Sequence, residues 1–158
     1  MPDTAQAKIL DAYKALVEGY APLAGKSVIT DRSPEEAIED AELPAIVIYF
    51  EAWDFRDAPE LGQSMELHTA LINFDVIETS ANVGFVSRRN AETIAHINAA
   101  VQTDPVLGGR IEDFRGMNVA PPMDNGKSVG GASLQAAIRF YTPLRDHFTI
   151  VGIGGETF

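Results

Sequence analysis

The side chains best suited to proton transfer or metal ligation near neutral pH are three histidines, His68, His96 and His147. No two of them have the four-residue spacing of a metal-binding helix. Their sequence contexts read as a strand, a helix and the region near the end of the sequence. Gly126-Lys127-Ser128-Val129-Gly130 has the Gly-x-Ser-x-Gly spacing, but with neither a strand before it nor a helix after it evident it does not read as a nucleophile elbow. The chain has no cysteine, which removes disulfides, thiolate zinc sites and a thiol nucleophile. Carboxylates cluster at Glu35, Glu36, Glu39, Asp40 and Glu42, but with no histidine nearby they read as a solvated helix face. Asn125-Gly126-Lys127-Ser128 ends as a phosphate loop would, yet Pro121 stands where the first glycine belongs, and neither a strand before it nor a helix after it is evident. Gly152-Ile153-Gly154-Gly155 is followed by too few residues to open a helix. The expectation is a protein with no catalytic, metal or cofactor site, hence not an enzyme.

The elements that would position any site are clearest between Glu66 and Phe114. In residues 66–78 Ala70, Ile72, Phe74 and Val76 share one face of an extended segment, opposite Leu67, Thr69, Leu71, Asn73, Asp75 and Ile77. Polar residues then interrupt the pattern. A helix is predicted from about Asn90, as N-cap, to about Gln102, with Glu92 in its first turn and Ala91, Ile94, Ile97 and Val101 as its apolar stripe. Asp104-Pro105 stops it, Leu107-Gly108-Gly109 reverses the chain, and Arg110 to Phe114 resumes in extended form.

Ahead of this unit, residues 4–18 read as a helix with Ile9, Tyr13, Leu16 or Val17, and Tyr20 inward, capped by Asp3 or Thr4 and stopped at Gly19. Val28 to Thr30 reads as loop or short strand, and Ser33-Pro34-Glu35-Glu36 opens a short helix. Ala45 to Phe50 is the continuous apolar run of a strand covered on both faces. It continues through Phe55 and pairs antiparallel with 66–78. Trp53 and Phe55 fit either the core, the commoner place for aromatics, or a rim where they would anchor a partner. Residues 117–131 contain two prolines and read as a long mobile excursion. Ser133 to Pro143 alternates as a strand, and Phe148 to Ile153 fits one short last strand. The fold class is therefore α/β in the broad sense (α+β): one domain, a mixed, mainly antiparallel sheet of about four to five strands, and two main helices.

The chain has 158 residues, a formal net charge of −11 and a sequence pI near 4.5. Such acidity argues against wrapping nucleic acid and is otherwise what keeps a protein soluble. No apolar run reaches the roughly 20 residues of a membrane helix. The start, MPDTAQAK, has no signal-peptide pattern, so cytoplasmic synthesis is expected.

The order of helix, Leu43-Pro44-Ala45-Ile46 strand, second strand, helix entered at Arg88-Arg89-Asn90, the turn Asp104-Pro105-Val106-Leu107-Gly108-Gly109-Arg110, and final strand resembles the tail terminator (tail completion) proteins of long-tailed bacteriophages and phage-like gene transfer agents. The likeness spans roughly residues 5–145, and the 117–131 excursion has no counterpart in it. It implies a structural virion protein at the head–tail junction, assembled in the host cytoplasm as a homo-oligomeric, typically hexameric ring. Such a ring caps the tail tube protein, stops its polymerisation and receives the head-completion or neck protein, while DNA passes through the lumen without specific binding. An acidic lumen would repel the phosphate backbone. A closed ring joins two different surface patches. On that reading Trp53, Phe55, Arg56, Arg88, Arg89, Met117, Asn125 and Lys127 are the candidate subunit or tube contacts, and no cofactor is implied. A head-completion or neck adaptor, and a small-molecule-binding or enzymatic α/β domain, are the alternatives.

Overall fold

A computed structural model describes residues 2–32, 42–61, 64–79, 85–124 and 129–158. Helix α1 spans Ala5–Glu18; Thr4, not Asp3, caps it by accepting the Ala7 amide at 3.2 Å, and Gly19 ends it. Its buried stripe is Ala5, Ile9, Tyr13 and Val17. Strand β1 is Ser27–Ile29, and after the cis Leu43–Pro44 bond β2 runs Ala45–Asp57. Strand β3, Met65–Thr79, is followed by helix α2, Phe85–Gln102. A turn with Gly108 and Gly109 at φ of 67° and 96° then leads into β4, Asp113–Asp124, and β5, Val129–Pro143.

The fold is α+β, with the five strands ordered β1-β2-β3-β5-β4. Only the β1–β2 pair is parallel. Alternation in β3 and β5 sends Ile72, Phe74, Val76, Leu134, Ala136 and Ile138 to one face, where Ile9 and Tyr13 of α1 and Ile97 and Val101 of α2 cover them. Each large side chain buried there contributes about 2 kcal/mol, which is why this face, and not helix propensity, holds the helices down. Tyr13 meets Phe74 edge-on at 5.5 Å and 82°. In β2 the pairing with β3 slips by one residue between Phe50 and Ala52. Glu51 is the inserted residue, so Ile46, Ile48 and Phe50 share the helix-covered face with Trp53 and Phe55 beyond it.

Several expectations are corrected. α2 begins at Phe85, five residues before Asn90, so Arg88 and Arg89 lie within the helix and not at its entry. Asn90 is no cap. It is fully buried in the stripe Asn90, Thr93, Ile94, Ile97, Ala100, Val101, whereas Ala91 is exposed and Glu92 lies beyond the first turn. Residues 117–131 are not an excursion either, because β4 reaches Asp124 and β5 starts at Val129. A strand thus does run up to Asn125-Gly126-Lys127-Ser128. β4 accommodates Pro121 and Pro122 because it is an edge strand with two register irregularities, at Gly116–Asn118 and Ala120–Met123. Val151 makes isolated bridges to Tyr141 and Thr157 in place of a last strand. The helix expected at Ser33–Glu36, and with it Glu39 and Asp40, lies outside the described residues; Glu42 is ion-paired with Arg32.

Candidate functional site

The ends of β2, β3 and β5 run past the helices, and there the sheet carries an aromatic cluster on its helix side. Trp53 and Phe55 are 41% and 45% exposed, which places them at the rim, the less common of the two positions the sequence allowed. They occupy alternate residues of β2 and stack at 5.4 Å. Each also stacks on His68 of β3, at 5.8 and 5.4 Å, because the register sets Trp53 against Ala70 and Phe55 against His68. The far side of the His68 ring lies on Phe140 at 4.6 Å. His147 meets Phe55 edge-on at 4.7 Å, and the nearby Leu144 and Phe148 are exposed too.

Under these rings sits a polar network that sequence spacing could not reveal. The Trp53 indole donates to His68 Nδ1 at 2.9 Å. An indole nitrogen only donates, so Nδ1 is bare and Nε2 carries the proton, which goes to Thr142 Oγ1 at 2.8 Å. Burial first, then the nearby His147, push the His68 pKa down to about 4, so the ring is neutral at pH 7. The Glu66 carboxylate accepts from His147 Nε2 at 2.5 Å and from the Arg145 amide at 3.2 Å. Burial raises its pKa, but these bonds and the two imidazoles outweigh that and hold it below the usual carboxylate range. The Ala5 amide of α1 binds the His147 carbonyl at 2.7 Å and so fixes the segment that carries this histidine.

Glu66, His68 and His147 bring one potential ligand atom each to within 4.8 Å of one another, so the histidines read as scattered partly converge. A metal on His68 Nε2 would require Nδ1–H and an acceptor for it. The group facing Nδ1 is the Trp53 N–H, a donor, so the residues do not fit a metal and the arrangement is a satisfied hydrogen-bond network. It clamps the segment after β5 onto β3.

The opposite sheet face carries a second network. Tyr49 donates to Asp75 at 2.8 Å, Ser133 to Asp75 at 2.7 Å, Asn73 to Tyr49 at 3.1 Å and Gln135 to Asn73 at 3.1 Å. Burial, then the balance of the Asn73 bond against the Asp75 carboxylate, push the Tyr49 hydroxyl up to about 12. The same chain has a groove of about 690 Å³ whose charged groups are Asp54, Arg115 and Arg139, with Thr69 beside them.

The residues expected at contacts do not form one patch. Trp53, Phe55 and Arg56 are together, with Arg56 bound to Glu60 at 2.8 Å. Arg88 and Arg89 are exposed on α2. Arg89 lines a polar pocket with Lys26, Glu78 and His96, toward the end of β3, which lies about 30 Å along the strand from Ala70. Met117 is at the first irregularity of β4, and Asn125 and Lys127 lie outside the described residues. No described helix is long and apolar enough to cross a membrane.

No protein-family model and no curated protein matches the chain. Thirty-one chains of solved structures do. One, described as "Virion of native gene transfer agent (GTA) particle", is 18% identical with a TM-score of 0.44, covering 83% of this chain and 92% of that one. A likeness at that level transfers no role.

Proposed function

We propose that this chain is a tail terminator: a subunit of a hexameric ring that caps a tail tube, stops its polymerisation and provides the surface on which a head-completion or neck protein docks. The observation that carries the reading is the Trp53–Phe55 pair, stacked and left about half open on an overhanging sheet end that no other described residue covers fully. Large aromatics held rigidly at a surface are what protein contacts are built around. The succession α1, proline-led β2, β3, α2, glycine turn, β4 and β5 is also the succession on which the sequence likeness rests. The net charge of −11 suits a lumen through which DNA slides without sticking.

Light scattering after size exclusion, alone and with purified tail tubes, tests the proposal. A ring at raised concentration, or one ring per tube end with tube growth arrested, supports it. A monomer that leaves tube growth unchanged refutes it. The groove beside Asp54, Arg115 and Arg139 favours the second reading, a small-molecule-binding domain. That reading predicts a ligand-dependent rise in melting temperature that Arg139→Ala abolishes.

A further inference from the structure

The overhanging half of β2 has an unpaired margin. β1 pairs with β2 only at Ala45, Ile46 and Val47, whereas β3 follows β2 to Asp57. From Glu51 to Asp57 every residue is exposed, so among the described residues nothing covers the outer side of that run. A bare margin presents backbone N–H and C=O groups to any strand that can reach them. Two of these groups have local partners. The Phe55 N–H donates to its neighbour Asp54 at 2.8 Å, and the Asp57 carbonyl accepts from Arg56 at 3.1 Å. Both bonds are exposed, where water competes with them and a strand can replace them.

The other margin of the same sheet is β4. Its second half contains Pro121 and Pro122, which lack an N–H, so residues 113–120 are the part able to donate in a ladder. The two margins differ in charge. The β2 run carries Glu51, Asp54 and Asp57 against one arginine already bound to Glu60, while residues 113–120 carry one acid, Asp113, and one base, Arg115, so the second margin adds no net charge to repel the acidic first.

We infer that the Glu51–Asp57 margin of one copy pairs with the 113–120 margin of a second copy of this chain, extending one sheet into the next. The inference rests on the ring reading and names the contact that would build it. Because the two margins lie on opposite sides of one sheet, the contact is heterologous, and its repetition closes a ring when the rotation between copies divides a full turn and runs on as a filament when it does not. Asp54 and Arg56 act as guards that keep dilute protein apart. Trp53 and Phe55 then cover the seam with apolar surface.

Hydrogen exchange on the full chain, dilute and assembled, reads the margin directly. Amides of 51–57 and 113–120 are expected to slow together by about tenfold or more on assembly. Phe55→Pro removes an N–H that points away from β3 together with the ring, so it should abolish rings, whereas Phe55→Ala, which loses the same contacts with His68 and His147 but keeps the N–H, should still form them at higher concentration. Asp54→Ala, which removes a guard, should lower the concentration at which rings form. Rings in which 51–57 exchanges as in dilute protein would overturn this inference and leave the ring reading standing. Protection of 51–57 that appears only with tail tubes, with cross-links to the tube chain and none to a second copy, would overturn the assignment of the partner. If no ring forms at any concentration or on tubes, the ring reading fails and this contact with it.

Discussion

Protonating His68 is the perturbation to which the aromatic end should respond most. The ring is fully buried between the Trp53–Phe55 pair and Phe140, and both its nitrogens are used. A second ring proton would set N–H against the Trp53 N–H, donor facing donor. The folded pKa, about 4, lies below the ordinary 6.5. Neutral His68 therefore stabilises the fold fully above about pH 6.5, and that contribution is lost as pH falls toward 4, because the unfolded chain takes up the proton first. One proton costs about 1.4 kcal/mol per pH unit, or about 2 kcal/mol between pH 6.5 and 5.0. Solvent screening at this open end reduces the expected loss to about 1–2 kcal/mol. Glu66 acts in a lower window: its stabilisation is present above its ordinary 4.5 and is lost as pH falls below that. Urea unfolding of the wild type and His68→Gln at pH 7.5, 6.0 and 5.0, followed by emission of the single tryptophan, measures the effect. The stability advantage of the wild type should shrink by about 1–2 kcal/mol across that range. A gap that stays constant with pH would refute the neutral, doubly bonded assignment of His68.

Other perturbations give equally definite outcomes. Tyr13→Phe removes a buried hydroxyl that has no partner among the described residues and should leave stability unchanged or raise it by about 0.5–1 kcal/mol, read from the urea midpoint. Asn90 buries both ends of its amide with no partner among the described residues, so Asn90→Leu should raise the melting temperature, by about 1–2 kcal/mol of stability. Lys26→Met strands the buried Glu78 carboxylate, otherwise bound by Lys26 and Thr93, and should cost about 3 kcal/mol in chemical denaturation, much of it recovered by adding Glu78→Gln. Gly152→Ala would bring its Cβ to 2.9 Å from the Gly109 carbonyl and 2.8 Å from the Phe158 ring, and should lower stability by about 1–3 kcal/mol in a thermal melt.

The sheet was legible where burial imposes a strict period. Ala70, Ile72, Phe74 and Val76 lie inward as their alternation predicts, and β2 and β3 pair antiparallel. The start of α2 was not legible, since Asn90 looks like a cap yet sits inside the core stripe, where composition argues against it. The β4–β5 pairing was hidden by Gly130-Gly131 and by Pro121 and Pro122, prolines that the edge strand β4 tolerates and a central strand would not. Trp53 and Phe55 look like core residues because nothing local announces that β2 outruns its cover. The Glu66–His68–His147 network depends on a contact between residues 81 positions apart, Glu66 and His147, and no motif spacing encodes it.

The bulge at Glu51 has a counterpart in the two irregularities of β4, while β3, in the middle, pairs with β5 through all fifteen residues without a slip. The outer strands therefore hold slack and the centre holds none. Loss of one codon at Glu51 would straighten β2 and leave every ring on its present side, whereas loss of one codon inside β3 would turn over all side chains beyond it. In a lineage of such chains, length changes should accumulate at the margins of the sheet and be purged from its middle.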